Sequence, residues 1–234
     1  MRFGVALVWL ALALGPAQAQ TETEAEARKA RSIAMLEAAD VRVLPSLPVI
    51  ETEATSLRRA EAEVAERMIA LAIVAVKGET ADHAMGLSLI EQFGAAEFLT
   101  PDEAAFMADP EPSDFDRIQF SWRYEGVWML LWALSLIDDP GPPSDIADVP
   151  RLAELLRDLG TEGVMAKARL RPQPELLDAA DLIYRMHWAV RQAELDGQPP
   201  PPGLDPGVVL ERHYTLNWLI GYSGQAWDDI STDT

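Results

Sequence analysis

Apolar residues recur at helical spacing along nearly the whole chain, and this periodicity restricts the fold more than any other feature of the sequence. The clearest case is residues 113–137, where Ile118, Trp122, Met129 and Trp132 belong to a stripe that alternates spacings of four and three. A second apolar stripe covers an adjoining face, so this helix is expected to be surrounded by others. Alternation with a period of two, typical of strands, is hard to find. The pattern predicts an all-α fold of about seven to nine helices around a central, aromatic-rich helix.

Prolines and glycines separate the predicted helices. A proline-rich segment at residues 197–207 is expected to be a stiff spacer before the last helix. That helix is too short to form a core of its own, so it must pack against the rest of the chain. Residues 20–234 are therefore predicted to form a single helical domain. Its helices are predicted at residues 24–39, 56–76, 82–93, 100–108, 113–137, 174–196 and 208–221, with one or two short helices at residues 151–170.

Residues 1–19 have the layout of a secretory signal peptide. Arg2 is followed by an uncharged run at residues 3–14, a Gly-Pro break and the small residues Ala17 and Ala19 around a cleavage point. The run is too short to cross a bilayer, which needs about twenty apolar residues. The apolar runs at residues 68–76 and 127–137 are too short as well. The sequence predicts a protein exported to the periplasm or secreted, cleaved after Ala19, with no transmembrane segment in the mature chain.

Charge and cysteine content narrow the function further. The chain has 19 Lys and Arg against 38 Asp and Glu, a net charge of -19, which would repel the phosphate backbone of a nucleic acid. It has no cysteine, so its stability must come from packing and lipid attachment at a cysteine is excluded. No nucleophile elbow and no glycine-rich phosphate loop are present. No cofactor and no nucleic-acid partner are predicted.

Glu125 is the first candidate site residue, because it lies in the middle of the aromatic stripe of residues 113–137. An ionised carboxylate in that position needs a cationic or hydrogen-bonding partner, or must be protonated. The favoured interpretation is a structural buried ion pair, with Arg123, Arg185 or Arg212 as the partner. The alternative is a general acid or base with a raised pKa.

The two C-terminal helices supply the other candidates. Asp178, Asp181 and Arg185 lie at i, i+3 and i+7, so Asp181 can pair with Arg185 one turn on. His187 is set among aromatic residues, and a satisfied core histidine is favoured over a proton shuttle or a metal ligand. The last helix is apolar on nearly all sides, so its polar residues should be networked with the other helices. The predicted buried polar centre comprises Glu125, Asp178, Asp181, Arg185, His187, Glu211 and Arg212.

Two consequences of such a centre remain open at the level of sequence. It can form a pocket for a small polar ligand, or a rigid polar core without one. The favoured function is a non-enzymatic module that binds a partner protein or a small polar ligand, with no catalytic residue and no metal site assigned. The alternative is an enzyme that uses Glu125 or His187 as acid or base, with Arg185 or Arg212 holding an anionic substrate group. The acidic tail, which includes Asp228, is expected to be a solvated end.

Several stretches resemble a bacterial family known as domain of unknown function 4272. The resemblance supports a single domain, and its motifs include the seven residues of the predicted polar centre. It implies no activity, cofactor or partner. The chain differs from the family pattern at Ala39-Asp40, where a glycine turn is usual, and in its export signal, because members mostly look cytoplasmic. The resembling stretches are residues 31–48, 63–67 with 70–71, 123–134, 175–189, 211–219, 227–229 and 233–234.

Overall fold

The fold is all-α, as predicted. The computed structural model describes the backbone of residues 16–234 and the side chains from Glu24 onward. The apolar run of the expected signal peptide, residues 3–14, lies outside the described residues. Within the described part there are nine α-helices and no strand. The helices are α1 (Pro16–Ala38), α2 (Glu61–Thr80), α3 (His83–Phe93), α4 (Pro101–Ala108), α5 (Asp114–Ser121), α6 (Arg123–Ala133), α7 (Val149–Lys167, with a non-helical break at Gly160), α8 (Gln173–Leu195) and α9 (Pro206–Ile220).

Two helices, α2 and α6, form the centre of the molecule. Nearly every residue of α2 from Val64 to Ala75 is buried, and so is nearly all of α6. Helix α2 packs against α5, α6, α3 and α7. At Gly78 a β-carbon would lie 2.7 Å from the carbonyl oxygen of Arg117 and 2.7 Å from the amide of Ser121. Only glycine therefore lets the backbone of α5 come this close to α2.

The segment 113–137, predicted as one helix, is two helices that meet at Trp122. Helix α5 has no buried residue, and Ile118, expected in the buried stripe, is 56% exposed. Helix α6 then carries the buried aromatic face and ends at Ala133. Its last carbonyl groups, those of Ala133 and Leu134, accept hydrogen bonds from the amides of Arg171 and Arg169. The chain that follows α7 therefore takes the place of a further helical turn.

The last helix docks onto the rest of the domain, as predicted. Helix α9 packs against α8 and α6, and α8 also packs against α1. The spacer is tied down where the amide of Asp205 donates to the carbonyl of Pro143 at 2.8 Å. The tail is less exposed to solvent than predicted for a solvated end, because Trp227 and Ile230 are buried. None of the helices in the described part combines the length and the apolar character needed to cross a bilayer.

Candidate functional site

The seven residues of the predicted polar centre do not meet at one point. Six of them belong to two separate regions, one between α6 and α9 and the other along α8. The seventh, His187 of α8, pairs with His213 of α9. Glu125, Glu211 and Arg212 lie where α6 packs against α9. Asp178, Asp181 and Arg185 lie along α8, facing α1 and the segment that follows it.

Glu125 and Arg212 form a buried ion pair. Arg212 Nε is 3.4 Å from Glu125 Oε2, and the other carboxylate oxygen accepts a hydrogen bond from the amide of Ala147. Arg212 also donates to the carbonyl oxygens of Gly141 at 2.8 Å and Pro140 at 3.2 Å. The pair therefore holds the proline-rich connection between α6 and α7 against α9.

Burial controls the protonation of this pair. Glu125 is 2% exposed, and loss of water raises the pKa of its carboxyl although Ala147 and Arg212 favour the charged form. Burial likewise lowers the pKa of Arg212. Both carboxylate oxygens of Glu125 already have protein donors. This geometry fits the structural interpretation of Glu125, and it identifies Arg212 among the three candidate partners.

Glu211 forms a second ion pair in the same region. Its Oε2 accepts from Arg123 Nη1 at 2.9 Å. The Arg123 guanidinium lies 4.6 Å from the ring centre of Tyr214 and 5.7 Å from that of Trp227. Arg123, a candidate partner for Glu125, therefore pairs with Glu211 instead. Burial raises the pKa of Glu211 despite this partner.

On α8, Asp181 and Arg185 make the ion pair that their spacing predicts. Arg185 donates from Nε at 2.9 Å and from Nη2 at 2.8 Å to the two carboxylate oxygens of Asp181, and both residues are 1% exposed. Nη2 also donates to the carbonyl of Pro48 at 3.1 Å. The buried Nη1 of Arg185 has no hydrogen-bond partner among the described residues. The guanidinium thus keeps one donor group free.

Asp178 belongs to a neighbouring cluster at the interface with α1. It accepts from Arg28 Nε at 3.2 Å and from Arg31 Nη2 at 2.6 Å. Arg28 is 1% exposed, and its Nη1 donates to the carbonyl of Glu51 at 3.2 Å. Sequence reasoning missed Arg28, because its partner Asp178 is 150 residues away and no local spacing links the two.

His187 pairs with His213 of α9. Their Nδ1 atoms are 2.9 Å apart, so one ring must donate and the other accept. Burial lowers the pKa of His187 to about 4 and that of His213 to about 3. The predicted satisfied core histidine therefore has another histidine as its partner.

A cavity of about 500 Å³ is lined in part by His213. Its walls come from the segment after α1, from α8 and α9, and from the last residues of the described chain. Pro48, which accepts from Arg185, is part of the wall. Its polar and aromatic lining includes Glu51, Tyr184, His213, Asn217, Tyr222 and Asp233. We refer to this space as the α8–α9 cavity.

The lining of the α8–α9 cavity is acidic and aromatic. One carboxylate oxygen of Glu51, Oε2, is buried and accepts no hydrogen bond from the described residues. Asp233 supplies a second carboxylate, and Tyr184 and Tyr222 supply two rings. The lining contains no lysine or arginine, and burial keeps the one imidazole, His213, neutral. An unpaired carboxylate beside aromatic rings is suited to an ammonium or guanidinium group.

Three further buried charges were missed by the sequence analysis, and each stabilises helix packing. Lys77 Nζ donates to the carbonyls of Phe106 at 2.7 Å, Met107 at 3.1 Å and Asp109 at 2.5 Å, which caps the end of α4. Arg67 of α2 pairs with Glu103, which also completes the capping box of α4. Within residues 24–234, no three His, Asp or Glu side chains are arranged to hold a metal ion.

Comparison with known proteins gives one match. The family described as "Domain of unknown function (DUF4272)" matches residues 28–230, which include both ionic regions and most of the α8–α9 cavity. No curated protein and no solved structure matches the chain.

Proposed function

This chain belongs to the family Domain of unknown function (DUF4272), and from that premise we propose that it is an exported, non-enzymatic domain that binds a small cationic ligand in the α8–α9 cavity. The ligand carries an ammonium or guanidinium group next to a compact apolar or aromatic body. A cavity of about 500 Å³ is of the size that small-molecule sites have.

The observation that carries this proposal is the buried Oε2 of Glu51, which has no protein donor. A buried acceptor without a donor is costly, and a charged donor from a ligand removes that cost. Arg28 is close enough to donate to the carbonyl of Glu51, yet its other nitrogens are directed to Glu24 and Asp178. Glu51 lines the cavity, and its carboxylate is in no ion pair with another described residue.

The positions of the two candidate arginines support binding of a cation rather than an anion. Arg185 is neutralised by Asp181 and Arg212 by Glu125. Neither guanidinium lines the α8–α9 cavity, so neither is placed to hold an anionic group there. Glu125 already has a donor on each oxygen. These contacts favour the binding role over acid–base chemistry.

The test uses two probes of the same shape and opposite charge, phenethylammonium and 3-phenylpropionate. Calorimetric titration of the mature protein is expected to give saturable binding of phenethylammonium in the millimolar range and none of 3-phenylpropionate. Glu51→Gln keeps the shape of the side chain and removes the charge. We expect it to weaken phenethylammonium binding at least about tenfold, in line with the loss of a charge-assisted hydrogen bond.

Glu53→Gln is the matched control, because Glu53 is exposed, carries the same charge and lies two residues away. Like Glu51→Gln, it removes one negative charge. Equal losses of affinity in the two variants would therefore mean that the probe senses only the general negative charge of the protein. Absence of saturable binding to the wild type would refute the proposed function.

Export is tested separately on the protein isolated from its native cells. Mass spectrometry is expected to find an N-terminus at Gln20, after removal of residues 1–19. Detection of an intact Met1 on the isolated protein would contradict the cleavage. This result does not depend on the ligand experiment.

A further inference from the structure

A second cavity lies on another side of α9, away from the histidine pair. It has a volume of about 480 Å³ and is bordered by the start of α2, the start of α4 and the chain after α9. Its lining differs from that of the α8–α9 cavity because both signs of charge are present. The charged and aromatic residues of its lining include Arg59, Glu66, Arg67, Glu97, Trp218 and Trp227. We refer to it as the Arg67 cavity.

Arg67 has more donors than the protein uses. It is 6% exposed, and of its five N–H groups only one on Nη2 is bonded, to Glu103. Its buried Nε has no partner, and neither has Oε1 of Glu103. The guanidinium lies 5.2 Å from the ring centre of Trp227. A buried cation with unused donors at the wall of a cavity is suited to a carboxylate.

Arg59 adds a second cation to the lining of the same cavity. Its guanidinium is stacked 3.9 Å from the ring centre of Trp218. Its Nε donates to the carbonyl of Trp218 at 2.7 Å, and its Nη1 pairs with Glu63. These contacts fix the position of Arg59, and no contact in the described structure uses its Nη2. The two arginines therefore present donors from fixed positions.

Two carboxylates that line the same cavity have no arginine partner. Glu66 is half-buried and Glu97 is exposed, and neither takes part in an ion pair with another described residue. They would repel a simple anion held by Arg67 and would attract an ammonium group. The lining of the cavity thus combines positive and negative groups with the indoles of Trp218 and Trp227.

From this arrangement we propose that the Arg67 cavity binds a zwitterion of the α-amino acid class with an aromatic or other apolar side chain. Its carboxylate is held by Arg67 and Arg59, its ammonium group by Glu66 and Glu97, and its side chain by the indoles. This site is separate from the α8–α9 cavity and takes a ligand of different charge.

Three probes that share one skeleton separate the contributions of the two charges. L-Phenylalanine carries both, phenethylammonium only the positive one and 3-phenylpropionate only the negative one. Two-dimensional NMR titration, followed at the indole N–H signals of Trp218 and Trp227, is expected to show saturable shifts with L-phenylalanine. The two single-charge probes are expected to bind this cavity at least about tenfold more weakly, because each leaves either the arginines or the glutamates without a partner.

Variants locate the binding. Arg67→Met alone would leave Glu103 buried without its cation, so the test uses the double variant Arg67→Met, Glu103→Gln. The side-chain carbonyl of the introduced glutamine can still accept from the amide of Thr100, which keeps the capping contact. The double variant and Glu66→Gln are each expected to weaken L-phenylalanine binding at least about tenfold. Circular dichroism and thermal melting confirm that each variant is folded.

Glu91→Gln, at an exposed position of α3, and Glu51→Gln, in the α8–α9 cavity, are the controls and are expected to leave L-phenylalanine binding within about twofold. The proposal is overturned if the wild type shows no saturable indole shift, or if Glu66→Gln binds as the wild type does. It is also overturned if 3-phenylpropionate binds as tightly as L-phenylalanine. Each of these results leaves the cation site at Glu51 to be judged on its own titration.

Discussion

The Glu125–Arg212 pair and the Asp181–Arg185 pair are equally hidden from solvent, yet their surroundings differ. Arg212 also donates to loop carbonyls, and both oxygens of Glu125 have donors. Arg185 keeps an unpaired Nη1 and contacts Pro48, part of the wall of a cavity. Two ion pairs of similar burial therefore differ in how fully their donors are used and in whether a cavity adjoins them.

The largest effect on stability is expected from breaking the Glu125–Arg212 pair. Glu125→Gln leaves Arg212 as a buried cation without its carboxylate, and such losses cost about 3–5 kcal/mol. Urea unfolding is expected to show this decrease in the free energy of unfolding, with phenethylammonium affinity unchanged within about twofold. The double variant Glu125→Gln, Arg212→Met should cost less than the sum of the two single changes. A loss of ligand affinity in folded Glu125→Gln would remove the distinction between the two regions.

A similar loss of stability, together with a loss of binding, is expected on the other side. Asp181→Asn takes the carboxylate from Arg185, a buried cation, and we expect a decrease of about 3–5 kcal/mol in the free energy of unfolding. Phenethylammonium should bind at least about tenfold more weakly, since Arg185 then shifts together with Pro48, which lines the α8–α9 cavity. Unchanged affinity in calorimetric titration would show that Arg185 does not position that wall.

The histidine pair gives a pH dependence with a definite sign. Because the folded-state pKa values of His187 and His213 are lowered to about 4 and about 3 from 6.5, the unfolded chain binds protons that the folded chain does not. Their contribution to stability is complete above pH 6.5 and is lost as the pH falls towards the folded values, by about 1.4 kcal/mol per pH unit for each ring. Urea unfolding at several pH values measures this slope.

A double variant, His187→Gln, His213→Gln, isolates the histidine contribution. The raised pKa values of Glu125 and Glu211 act with the opposite sign, because these carboxyls take up protons more readily in the folded state as the pH falls. Subtracting the free energy of unfolding of the variant from that of the wild type at each pH removes the contribution of these carboxyls. The difference is expected to decrease below pH 6.5. An equal pH dependence in both proteins would contradict the neutral, buried pair.

The sequence predicted what local spacing determines. The Asp181–Arg185 pair follows from a separation of four residues, and the docking of the last helix follows from its apolar surface. The pairing of His187 with His213, the role of Arg28 and the free oxygen of Glu51 depend on contacts between distant segments. No periodicity contains that information. The same limit explains why one continuous apolar pattern was interpreted as a single helix across Trp122.

The smallest effect concerns α1, the helix that brings Arg28 to the Asp181 side. Asp40, which follows it, has φ 57°, a left-handed conformation that favours glycine. Asp40→Gly is expected to raise the free energy of unfolding by about 0.5–1 kcal/mol. Ala38→Gly, at the last residue of α1, is the control and should lower it by a similar amount. Thermal unfolding that shows a loss in Asp40→Gly would contradict this account of the turn.

The most direct test compares the two regions in one titration. Phenethylammonium is added to the labelled mature protein, and two signals are followed by NMR: the imidazole of His213 at the α8–α9 cavity and the indole N–H of Trp128, which donates to Pro140 in the Glu125–Arg212 region. A saturable shift of His213 with an unmoved Trp128 is the predicted result. No saturable shift at His213, or equal shifts at both residues, would contradict the assignment of binding to the Asp181–Arg185 side alone.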